Sequence, residues 1–146
     1  MLRGRYGNST GRPYIAGRLV IPRLNLRSDI SFLVDTGADS TVLLVDDAAR
    51  MKLDYGKLKP AGQETVGIGG KARHHIEPAI VTFEEAGRVL HVYEIDLAIV
   101  PYQRNLRRVP SLLGRNILDR WQMSYKPSND RLVFKVISAD HTIKVP

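Results

Sequence analysis

A chain of 146 residues, 43% hydrophobic and 25% charged, suits one soluble globular domain that buries about two-thirds of its unfolded surface. It has no apolar run near the roughly 20 residues that cross a bilayer, no apolar segment after the first basic residues to make a signal peptide, and no cysteine, which excludes disulfides, thiolate nucleophiles and cysteine-ligated metals and fits a cytoplasmic setting without a membrane. The net charge of +7 leaves an acidic partner open.

Residues 1–11 are rich in Gly, Asn and Ser and are expected to be a flexible N-terminus, ahead of one domain over 12–126 and a C-terminal β extension of it over 127–146. Over 14–22, Ile15, Gly17, Leu19 and Ile21 alternate with Ala16, Arg18 and Val20, which predicts a strand. Residues 25–29 read as the turn of a hairpin that returns through 30–34. Acidic residues at the start and a basic one near the end of 46–51 suit a short helix. Residues 63–66 and 72–83 read as two strands around a Gly-rich tip, and 89–100 is a strongly β-prone run. A polar, basic loop over 101–110 leads into a short buried strand over 111–114 and a helix over 115–121, with Ile117, Leu118 and Trp121 on one face and Trp121 in the core. After a turn at 126–130 come a strand over 132–137 and a last one over 142–145. Many short strands with one or two short helices predict a mostly β barrel or sandwich.

The chemistry concentrates in Asp35-Thr36-Gly37-Ala38-Asp39-Ser40-Thr41. The apolar run before it delivers a carboxylate to the end of a buried strand, a placement that does little for stability and points to reactivity. Asp-Thr-Gly is also good turn chemistry, so a surface turn capping a strand is the competing reading. Gly67-Ile68-Gly69-Gly70 does not make a Walker loop, which would need glycine at Thr65 and a hydroxyl at Ala72. Extended to Gly67-Ile68-Gly69-Gly70-Lys71-Ala72 it fits the loose dinucleotide fingerprint, but Pro78 and the β-like run after it deny the helix that motif requires. His74, His75 and His91 lack metal-binding spacing, and adjacent histidines on a strand face opposite ways, so exposed strand histidines are expected, with no metal and no cofactor.

The Asp-Thr-Gly segment, the glycine hairpin and Leu112-Leu113-Gly114-Arg115-Asn116-Ile117-Leu118 occur in the order and spacing of the retropepsins, the retroviral-type aspartic proteases, which the chain closely resembles over residues 15–121. The resemblance implies a closed β-barrel half-lobe with one or two short helices, active only as a homodimer because each copy supplies one catalytic aspartate. Asp-Thr-Gly indeed occurs once, and the chain is too short for two such lobes. On this resemblance Asp35 is the catalytic residue and acts on peptides bound in extended form. Thr36 would bond across the dimer axis, and the Gly37 carbonyl would face the substrate backbone. Ala38 stands where pepsin-like enzymes often carry serine, which predicts activity at mildly acidic to near-neutral pH. Asp39 matches a substrate-backbone contact held by Arg115, while Thr41 and Asn116 fit the supporting hydrogen bonds. Gly67, Ile68, Gly69 and Gly70 would form the flap tip over the substrate.

Taken from the residues alone, Asp39 could be a turn cap and Arg115 a surface charge at a helix start. A non-catalytic dimerisation or peptide-binding module with the same fold is the alternative function. Nucleic acid is not the expected partner, because the basic residues are scattered and the densest group, Arg104, Arg107 and Arg108, lacks interleaved aromatics.

Overall fold

The computed structural model describes the backbone of residues 1–67 and 70–146, with side-chain surroundings outside 63–72. The chain begins with β1 (Leu2–Arg3), β2 (Arg5–Tyr6) and β3 (Pro13–Ile21). The alternation read in β3 is its burial pattern, with Ile15, Leu19 and Ile21 almost fully covered. Gly17 lies on the same face, where a Cβ would stand only 2.8 Å from the ring of Phe83, so the site has no room for a side chain.

The reversal after β3 is tighter than expected. Pro22 starts a single 3₁₀ turn over Pro22–Leu24, Asn25 takes the left-handed conformation, and β4 (Leu26–Val34) begins at once. β3 and β4 pair antiparallel along their length, and Ile30, Phe32 and Val34 point into the core. Next come β5 (Val42–Leu43), helix α1 (Val45–Arg50), β6 (Gln63–Gly67), the long β7 (Gly70–Glu85) and β8 (Val89–Ile99). The remaining elements are β9 (Leu112–Leu113), α2 (Arg115–Leu118), β10 (Trp121–Lys126), β11 (Arg131–Val136) and β12 (His141–Lys144).

Among the described residues, β8, β5, β9, β4, β3 and β7 are hydrogen-bonded in that order, and β7 pairs back onto β8. The result is a closed six-stranded barrel with two short helices, the mostly β architecture expected. β12 extends the barrel sheet from β8, while β1, β11 and β10 form a separate three-stranded sheet. That second sheet packs on the barrel through Leu2, Trp121, Leu132 and Phe134. Trp121 stacks edge-on to Phe83 at 4.8 Å between ring centres and lies 5.1 Å from Phe134. Such pairs add about 0.5–1.5 kcal/mol each to the burial of the rings.

Three local expectations need correction. The start of the chain is not frayed throughout, because Leu2 pairs with Phe134 and is almost fully buried, and an apolar side chain of that size holds the end down. The helix expected over 115–121 stops at Leu118, and Trp121 opens β10, where pairing with Val136 on β11 sets the indole against Phe83 and Phe134 in the core. His91 is not an exposed strand histidine but is buried on β8. Burial and the neighbouring His75 hold the His74 imidazole below its ordinary value. Among the described residues no three acidic or imidazole side chains are placed to hold a metal.

Candidate active site

The site is built where two strands end side by side. β4 runs parallel to β9, with Leu33 opposite Leu112 and Val34 opposite Leu113. The Leu33 amide donates to the Ser111 carbonyl at 2.8 Å, and the Asp35 amide donates to the Leu113 carbonyl at 3.1 Å. This ladder holds Asp35 one residue beyond the strand, half-buried at the barrel rim.

The loop that follows is folded by its own backbone. The Ala38 amide donates to the Asp35 carbonyl at 3.2 Å, closing the turn. The Gly37 amide donates to Asp35 Oδ1 at 2.9 Å, so one carboxylate oxygen is oriented from within the loop. Thr36 and Gly37 are exposed, and the Thr36 hydroxyl finds no partner within its own chain among the described residues.

The start of α2 braces this loop from behind. The Arg115 amide donates to the Ala38 carbonyl at 2.8 Å, and the Asn116 amide donates to the Asp39 carbonyl at 3.1 Å. Thr41, fully buried, donates through Oγ1 to Asn116 Oδ1 at 2.9 Å and accepts from the Gly114 amide at 3.2 Å. The Arg115 guanidinium is paired with the Asp39 carboxylate, and that hydrogen bond holds Arg115 more firmly protonated. Both partners are exposed, so the pair orients the loop more than it stabilises the fold. Asp35, Thr36, Gly37, Ala38, Asp39, Thr41, Arg115 and Asn116 are thus gathered into one interlocked unit, from positions about 75 residues apart in the chain.

Of the glycine hairpin, Gly67 and Gly70 pair as the last residues of β6 and β7 before the tip, while Ile68 and Gly69 lie outside the described residues.

Two contributors carry roles that the sequence reading did not assign. Gly114 sits so close to Ser40 that an added Cβ would fall 2.3 Å from its carbonyl carbon and oxygen. Ser111, fully buried, donates to Asp47 Oδ2 at 2.6 Å and accepts from the Leu44 amide at 3.0 Å, which ties β9 to the start of α1. The Leu-Leu-Gly string marks Gly114 in the sequence, but nothing in the spacing marks the Ser111–Asp47 pair.

Comparison with known proteins agrees with this architecture. No curated protein sequence matches the chain. A retropepsin-like aspartic protease from Rickettsia conorii superposes with a TM-score of 0.52 at 22% identity, over 92% of this chain and 88% of that one. The EIAV protease in complex with the inhibitor HBY-793 aligns at 26% identity and a TM-score of 0.46, over 77% of this chain and 90% of the viral one. The sequence profile described as "gag-polyprotein putative aspartyl protease" matches residues 23–120, which include the Asp35 loop and the Arg115-Asn116 brace. A closed barrel with the fold of the retropepsins and a profile match across most of its length place the chain in that gag-polyprotein aspartyl protease family, the retropepsin-like aspartic proteases.

Proposed function

We propose that the protein is a homodimeric aspartic endopeptidase in which two copies of Asp35 meet on a twofold axis. The observation that carries this reading is the braced loop. A half-buried carboxylate is held at the barrel rim with one oxygen bonded to the Gly37 amide, beside an exposed threonine whose hydroxyl has no partner among the described residues of its own chain. A second copy would bring an identical loop against it and offer Thr36 a hydrogen-bond partner across the axis.

Two carboxylates in contact share one proton, because ionising both would set like charges together. The ionised member takes a proton from a bound water, and the water oxygen attacks the peptide carbonyl carbon. The protonated member gives its proton to the carbonyl oxygen as the tetrahedral intermediate forms. Collapse breaks the C–N bond, and a carboxyl of the pair delivers a proton to the departing amine. Gly37 leaves room for the substrate backbone, Ala38 contributes no hydroxyl to the carboxylate, and Asp39, oriented by Arg115, offers a polar contact to the extended peptide. Thr41 and Asn116 keep the loop in register. The hairpin that leaves at Gly67 and returns at Gly70 serves on this reading as the flap over the bound chain, where glycine permits close backbone approach.

The test is Asp35→Asn, which keeps the side-chain shape and removes the proton chemistry. Peptide-library cleavage should fall by at least about 10³-fold, with an unchanged melting temperature. Turnover persisting in that variant would exclude Asp35 as the catalytic residue. Binding of a statine-type transition-state mimic by a wild-type protein that cleaves nothing would instead identify a non-catalytic peptide-binding module.

A further inference from the structure

We infer that the outer face of the β1–β11–β10 sheet is a platform for the phosphodiester backbone of a nucleic acid. The register decides which side chains share that face. Trp121 opposite Val136, Met123 opposite Phe134, and Leu2 opposite Phe134 lie on the side turned to the barrel. Alternation along the strands then puts Arg3, Lys126, Arg131 and Lys135 together on the other side. Val133 occupies the middle of that side, buried yet outside the core cluster. The remaining positions are Gln122 and Ser124, so no strand residue on this face carries a negative charge.

All four cations are exposed, and among the described residues none has a side-chain ion pair or hydrogen bond. Several arginines elsewhere on the molecule are paired with acids: Arg18 with Asp29, Arg23 with the buried Glu77, Arg50 with Asp47, and Arg120 with Asp140. What sets the platform apart is that four cations share one sheet face with no acidic strand residue among them. At one end, Arg3 and Arg131 line a shallow cavity of about 380 Å³ whose lining also includes Gly4, Asn129 and one acid, Asp130.

The spacing favours a polymer of anions over a single one. Arg131 and Lys135 stand four positions apart on β11, Arg3 is paired with the residue midway between them, and Lys126 lies directly across from Arg131. Lys126 and Arg131 are thus one strand spacing apart, roughly 5 Å, and Arg3 lies diagonally about 8 Å from both Arg131 and Lys135. The face shows no exposed apolar side chain that could insert into a lipid surface. It also lacks an aromatic ring for stacking, so the contact would be to phosphates and indifferent to base sequence.

The test uses the full chain and a fluorescent homopolymeric RNA, titrated at several salt concentrations. Four phosphate contacts to a single strand give a slope of about −3 in log affinity against log salt, a loss of roughly 50-fold between about 50 and 200 mM. Arg3→Gln/Arg131→Gln/Lys135→Gln should weaken binding at least about tenfold at low salt and flatten the slope by about two. Arg104→Gln/Arg107→Gln/Arg108→Gln removes the same charge from the loop before β9 and should leave most of the affinity. No RNA binding at low salt, or equal losses in the two triple variants, would overturn the platform. Tighter binding to polyglutamate or to phosphatidylserine vesicles than to RNA would overturn the assignment of its partner. Asp35→Asn should bind RNA as the wild type does, so the platform and the proteolytic reading can fail separately.

Discussion

Gly114 shows how closely the catalytic loop and its brace are fitted. Its backbone is extended, with φ −96° and ψ −179°, so any residue could adopt the conformation, and glycine is required for space alone. A Cβ would overlap the Ser40 carbonyl at 2.3 Å, and backbone cannot swing aside as a side-chain tip can. Gly114→Ala should therefore cost about 3 kcal/mol of stability, read from denaturant melts, and lower activity beyond the folded fraction because the Asp35 loop is displaced. A fully active, equally stable alanine variant would contradict this account. Thr41 and Asn116 work at the same scale: a buried hydroxyl and an amide satisfy each other and the Gly114 amide, which leaves no polar atom stranded under the loop.

Among the elements, the C-terminal strands are anchored by a chain of polar groups. Trp121 on β10 donates through Nε1 to the Tyr93 hydroxyl at 2.7 Å, and Tyr93 on β8 donates to the Ser138 carbonyl at 2.9 Å. Just beyond, Asp140 accepts from the Glu94 amide at 2.7 Å and from Arg120 at 2.9 Å. The Glu94 amide, with help from Arg120, holds the Asp140 carboxyl below the ordinary carboxylate value. A depressed native value means that the ionised form is the one stabilised. Its contribution is present above the unfolded value of about 3.9 and disappears as pH falls through the lower native one. Asp140→Ala should thus lower stability by about 1–2 kcal/mol at neutral pH, with the gap to wild type closing below about pH 4. A gap independent of pH would show that the side chain acts by packing and not by charge. The N-terminal ammonium and His91 similarly favour ionised Glu85, with the ammonium as the stronger influence.

At the scale of the whole molecule, one barrel carries one Asp35, and the proposed chemistry needs two. Activity per chain should rise with protein concentration through the dissociation range and level off above it, and a tight-binding transition-state mimic should shift the midpoint to lower concentration. Activity strictly proportional to concentration down to dilutions where sedimentation shows only monomer would exclude a shared site. The dispersed basic residues take on a different meaning at this scale as well. Arg3 and Arg131 are far apart in the chain yet lie on neighbouring strands, while Arg23 and Arg120 are paired with acids 54 and 20 residues away.

By itself the sequence determined the strand period of β3 and of β4 over residues 30–34 and the Asp35 turn, because each is written in neighbouring residues, while the Leu-Leu-Gly-Arg-Asn brace was legible only through the family resemblance. Alternation sets which face is buried, and small turn residues set where the chain reverses. The end of α2 at Leu118, the seat of Trp121 on β10, the capture of Leu2 and the Ser111–Asp47 link were decided only by the tertiary structure. Those features depend on which distant strands come to lie side by side, and local preferences are too weak to choose among such pairings until the burial of a shared core selects one.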